Sequence, residues 1–141
     1  MPNWCANSLV LHHEDVNMIE RAVQSFQKEE FCNEFVPMPE EFKNDGWYEW
    51  RVSNWGTKWD VGSSQYGIER GNANECKFSF DSAWSPPIQF YEKLEELGFT
   101  VKAMYYEPGM AYCGIYEDGF DDYYEYGDLD SDGVANTIPQ E

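Results

Sequence analysis

An α+β domain is what this 141-residue chain predicts, and three observations carry the prediction. Alternating apolar residues mark strands toward both ends, two stretches with apolar residues three and four apart mark helices, and a tryptophan-rich excursion separates the two halves. With 42% hydrophobic and 18% aromatic residues, the chain has the material for one domain with a real core.

Over residues 3–12, Trp4, Ala6, Ser8 and Val10 alternate with Cys5, Asn7, Leu9 and Leu11, the pattern of a first central strand. Asp15 is placed to cap a helix. Val16, Ile19, Ala22, Val23 and Phe26 then form one apolar stripe, with Glu20, Arg21, Gln24 and Lys28 turned to water. Residues 31–36 read as a second strand, ended by Pro37-Met38-Pro39. Residues 40–75 form a long insertion with the tryptophans and a Gly/Ser/Asn-rich tract at 62–74; such length inside a compact domain points to function or mobility. Cys76, Phe78, Phe80, Ser82 and Trp84 alternate as a third strand. Ser85-Pro86-Pro87 predicts a helix start with a hydroxyl cap, Phe90, Leu94 and Leu97 its buried stripe, and Gly98 its stop. Residues 100–106, 111–116 and 120–126 read as three further strands, joined by turns at Glu107-Pro108-Gly109 and Asp118-Gly119.

Two helices on one face of an antiparallel sheet, in this order, make the split strand-helix-strand arrangement of ferredoxin-like domains. The domain is expected to span residues 1–127, with a Trp-rich insertion and a C-terminal β-hairpin extension, and residues 128–141 to be an acidic, flexible tail.

Against 27 acidic residues stand 9 basic ones, a formal net charge of -18 that repels nucleic-acid phosphate and anionic lipid alike. Direct nucleic-acid and membrane partners are therefore not expected. No apolar run approaches the ~20 residues of a membrane span, and Met1-Pro2-Asn3-Trp4 lacks the basic and apolar regions of a secretory signal, so the expected location is cytoplasmic. Cys5, Cys32, Cys76 and Cys113 form no Cys-x-x-Cys pair and have no nearby histidine to complete a zinc site, and are expected as buried, reduced thiols. No cofactor is implied.

Four motifs then stand in order: Met1-Pro2-Asn3-Trp4-Cys5; Trp50-Arg51-Val52 running into Asn54-Trp55-Gly56-Thr57-Lys58-Trp59-Asp60; Ala83-Trp84-Ser85-Pro86-Pro87; and Tyr106-Glu107-Pro108-Gly109. Together they resemble the Api-ninety-two-like proteins of phages and plasmids, described as ferredoxin-like domains of unknown function. The resemblance covers most of residues 1–117. It implies the fold, an origin in a mobile element and hence the host cytoplasm, and it brings no catalytic or binding residues.

Three candidate sites follow from the residues. Trp50, Arg51, Trp55, Lys58, Trp59 and Asp60 set large rings beside two cations; they are either core, with Asp60 paired to Lys58 or Arg51, or a pocket for a small anionic ligand or an enzymatic site. Glu117, Asp118, Asp121, Asp122, Glu125 and Asp128, interleaved with Tyr116, Phe120, Tyr123, Tyr124 and Tyr126, are either a solubilising surface or a protein-binding face. Such a face could imitate the charge line of a duplex. Asp128, Asp130 and Asp132 reproduce the first half of a calcium loop, but Pro139 stands where the bidentate glutamate belongs. His12 and His13 have no partner at a catalytic spacing, and no catalytic residue is assigned. The expectation is a non-enzymatic acidic binding protein, a DNA mimic or an inhibitor, engaging a basic host protein, with nucleic-acid-binding proteins among the candidates; a ligand site at the tryptophans and a purely structural domain are the alternatives.

Overall fold

The computed structural model describes residues 3–125 and opens with strand β1 (Trp4–His12), whose Cys5, Asn7, Leu9 and Leu11 are buried. Helix α1 (Val16–Gln27) is capped by the Asp15 carboxylate, which accepts the Asn17 N–H at 2.9 Å. A short helix α2 (Phe31–Phe35), a 3-10 turn (Glu40–Phe42) and helix α3 (Trp47–Asn54) lead to strand β2 (Ile68–Asn72). Then come β3 (Glu75–Ala83), α4 (Ile88–Glu96), β4 (Thr100–Glu107), β5 (Tyr112–Glu117) and β6 (Phe120–Glu125). All six strands pair antiparallel in one sheet, in the order β2-β3-β1-β4-β5-β6.

The α+β class stands, with three local corrections. Residues 31–36, expected as a strand, hold helix α2 instead. Phe31 and Phe35 lie one turn apart and both are buried, and Asp60 accepts the N–H groups of Cys32 (2.7 Å) and Asn33 (3.0 Å) at the helix start. A short apolar run does not itself distinguish strand from helix, and this cap comes from a residue 28 positions away. The second strand lies in the Gly/Ser/Asn-rich tract: β2 is polar and exposed, as suits a sheet edge. Finally, Ser85 does not cap α4. Its hydroxyl donates to the Gly56 carbonyl at 2.6 Å, and the helix starts at Ile88 without a side-chain cap.

One face of the sheet carries the main core. Phe26 of α1 meets Phe31 and Phe78 at ring distances of 5.5 and 5.1 Å, and Phe31 meets Phe90 of α4 at 5.0 Å. Leu9, Leu11 and Val101 form its floor, so α1, α2 and α4 share one apolar mass. The opposite face carries the exposed Trp4, Lys77 and Lys102. At the far end, Asp118 and Gly119 both have positive φ (52° and 78°), the two-residue geometry that matches strand twist and holds β5 and β6 in register.

Candidate functional site

The tryptophans of the insertion do not share one platform. Trp55 sits just beyond α3, 1% exposed, and its indole Nε1 donates to the Val36 carbonyl at 2.8 Å, so it belongs to the core. Trp50 packs edge-on to it at 5.8 Å. Trp59 is 41% exposed and stacks on Trp47 at 5.5 Å. Between the rings lies the Arg51 guanidinium, 5.2 Å from Trp47 and 5.0 Å from Trp55, donating to the Lys58 carbonyl at 3.2 Å, while the Lys58 ammonium lies over Trp59. Asp60 is not the partner of either cation. Its two oxygens accept the backbone N–H groups of Cys32, Asn33 and Val61; burial raises its pKa above the ordinary value while those three bonds pull it back. A shallow concavity of about 380 Å³ does open here, lined by Met38, Lys43, Trp47, Arg51 and Trp59; Trp50 and Trp55 take no part in lining it.

The acidic candidates lie where the hairpin puts them, and strand alternation divides them. Glu117 pairs with Phe120, and Asp122 with Ile115, with side chains toward the open face; Asp121 and Glu125 fall on the helix side. Glu117, Asp118, Asp122 and Glu125 are exposed. Carboxylates are not confined to this edge, since Glu14, Glu29, Glu41 and Glu75 of the other half belong to the same surplus. Asp128, with the calcium candidates Asp130 and Asp132, lies outside the described residues.

A site absent from the sequence reading appears on the helix side of this hairpin. Tyr105 of β4 lies opposite Gly114 of β5, and its ring crosses β5 at that point to donate to Asp121 of β6 at 2.6 Å. Only glycine permits this, because a Cβ at Gly114 would fall 2.2 Å from the Tyr105 hydroxyl. Tyr112 stands beside Tyr105 at 6.0 Å and beside Tyr123 at 5.4 Å, and its hydroxyl donates to the Trp84 carbonyl. Trp84 is held at φ 68°, unusual for a bulky residue, in a three-residue turn closed by the Ser85 N–H to Ala83 carbonyl bond. Thr57 ties that turn down by donating to Ala83 at 3.0 Å. Trp84, Tyr105, Tyr112, Asp121 and Tyr123 line an open cavity of about 490 Å³, completed on its other side by Val52, Pro86, Ile88 and Gln89. The signals were present as Gly114 within a strand and the Ala83-Trp84-Ser85-Pro86-Pro87 motif, but nothing local joined them.

The fold has a solved counterpart. The crystal structure of the protein api92 from Yersinia pseudotuberculosis, with family model DUF1281, matches at a TM-score of 0.56 and 11% sequence identity, covering 91% of this chain and 99% of that one. At that identity the likeness is one of fold. No family model and no curated protein matches the sequence.

The remaining candidates are occupied structurally. His13 accepts the Asp15 N–H at Nδ1, which leaves Nε2 to donate to the Leu97 carbonyl, each at 2.9 Å. All four cysteines are free and buried, and burial pushes Cys5 up to about 11, so its thiol is protonated at neutral pH and no nucleophile. Among the described residues no cluster could hold a metal ion, and no helix is long and apolar enough to cross a membrane.

Proposed function

We propose that this chain is a non-enzymatic, acidic protein-binding domain that engages a basic partner through its β5–β6 hairpin. The observation that carries the reading is an edge strand whose neighbouring turn and side chains present Glu117, Asp118, Asp122 and Glu125 with exposed Phe120 and Tyr123. An edge strand normally carries lysine or is covered; this one is acidic and aromatic. Because alternation sends the carboxylates to both sides of the hairpin, a protein groove that grips an edge fits them better than a single row imitating a duplex.

The β2-β3-β1-β4 order, with α1 and α4 as connections, supports a ferredoxin-like core extended by β5 and β6. Origin in a mobile element is a further proposal, resting on the four sequence motifs alone.

Affinity capture from lysate, with the captured proteins identified, tests the binding reading. We expect basic proteins retained at ~0.05 M salt, released at ~0.5 M, and lost when Asp121, Asp122 and Glu125 are neutralised together. Retention indifferent to salt and to that triple change would sink it.

A second reading has one specific observation: the Arg51 Nε is buried with no hydrogen-bond partner among the described residues, beside the concavity that Lys43 also lines. An anionic small molecule would fit those cations. Titration with citrate or phosphate, followed by Trp59 fluorescence, decides it; no saturable change removes it.

A further inference from the structure

We propose that the cavity between Trp84, Tyr112, Tyr123 and Asp121 receives one lysine or arginine side chain of the basic partner. The inference rests on the binding reading above and names the site at which it acts. Three features of the cavity select a cation. Four of its lining residues, Trp84, Tyr105, Tyr112 and Tyr123, are aromatic, and ring faces carry the negative end of the ring quadrupole and attract an ammonium or guanidinium. At its rim stands the Asp121 carboxylate; among the described residues only the Tyr105 hydroxyl donates to it, through one oxygen, which leaves the other for an incoming donor. No lysine or arginine lines the cavity, in contrast to the insertion, where Arg51 and Lys58 already lie over the rings.

The cavity is built, not incidental. Tyr105 and Tyr112 are 3% and 8% exposed, fixed by Gly114 and by the Trp84 turn, whereas Trp84 and Tyr123 are 44% and 51% exposed and present their rings at the mouth. The strained φ of Trp84 is maintained by the Thr57 and Tyr112 hydrogen bonds, which is the expected condition for strain at a ligand clamp. An anionic guest meets the Asp121 carboxylate, and a neutral apolar guest makes no use of its free oxygen. A cation satisfies both rings and carboxylate.

Binding of an oligoarginine peptide to the whole chain, measured by calorimetry and by the NMR shifts of the Trp84 indole and the Tyr123 ring, tests this, with an oligocitrulline peptide as the neutral isostere. We expect saturable binding with shifts at Trp84 and Tyr123, none with citrulline, and a loss of about tenfold in Asp121→Asn and in Tyr123→Leu. Glu69→Gln, the same charge removed at the opposite sheet edge, should cost no more than about twofold. Two variants are used so that misfolding of one leaves the other informative. Equal losses in Asp121→Asn, Asp122→Asn and Glu69→Gln, or equal binding of citrulline, overturn the cavity; the first of these leaves the acidic binding reading standing. Absence of any oligoarginine binding at low salt removes both.

Discussion

Trp47, Trp55 and Trp59 hold cations of their own chain, whereas Trp84, Tyr112 and Tyr123 hold none. The two aromatic clusters use the same kinds of ring, yet in the first the Arg51 guanidinium fills the space between indoles and Asp60 is turned away into a helix cap. In the second, a glycine opens room, a tyrosine steadies a carboxylate, and among the described residues no cation lies over the rings. With 9 cations against 27 acids, where the few cations are placed decides which aromatic cluster is closed and which can take a guest.

The largest effect is expected at Trp55, the ring that closes the first cluster. Trp55→Ala removes a fully buried indole and its bond to Val36, and should destabilise the fold by about 3–5 kcal/mol in urea unfolding. A cost below about 1 kcal/mol would mean that this ring is no part of the core. Asp60→Ala comes next: three backbone N–H groups lose their acceptor, for an expected loss of about 2–3 kcal/mol and less helical far-UV signal from α2. An unchanged helical signal would show that α2 stands without its cap.

Asp60 also explains what the sequence could and could not disclose. Where structure depends on neighbours in sequence, it was legible: the Asp15 cap, the α1 stripe, the β1 alternation and the Asp118-Gly119 turn all stand. Where a distant group decides, it was not. The segment of Phe31 and Phe35 becomes a helix because a carboxylate from the insertion caps it, and Ser85 is drawn from helix capping to the Gly56 carbonyl. Strand β2 has no apolar alternation to betray it, since it exists by pairing with β3. The aromatic candidates split for the same reason: the tryptophans of the insertion were conspicuous by density, while the Trp84 cavity unites residues from five separate segments that only the tertiary fold brings together.

Gly114→Ala sharpens the contrast at intermediate cost. The new methyl would lie 2.2 Å from the Tyr105 hydroxyl and 2.6 Å from the Asp122 carbonyl, so Tyr105 must swing away from Asp121 or the strands must separate. A loss of about 1–3 kcal/mol is expected. Cation binding should vanish with the insertion's tryptophan environment unchanged, as read by the Trp55 indole NMR signal. If that signal moves as much as the Trp84 signal does, the two clusters are not independent.

The smallest effect is the dependence on pH, and at Asp121 it acts on fold stability and on cation binding with opposite signs. Burial raises the Asp121 pKa above its ordinary 3.8, the neighbouring Asp122 charge adds to this, and the Tyr105 hydrogen bond opposes it. Tyr116 and Tyr123, which also face it, remain neutral through the acid range, so the titration belongs to the carboxylates. A folded-state pKa above the unfolded one means that the folded chain takes up the proton first, so the stability contribution is complete below 3.8 and is lost as pH rises through the folded value. Mild acidification should therefore raise wild-type stability relative to Asp121→Asn, a difference read from paired urea titrations. Cation binding runs the other way, because the proton that stabilises the fold removes the charge the guest requires. Asp60, raised by burial as well, shares the stability trend but meets no guest. Acidification that strengthened oligoarginine binding, or left it unchanged across this window, would show that Asp121 is not the carboxylate the cation meets.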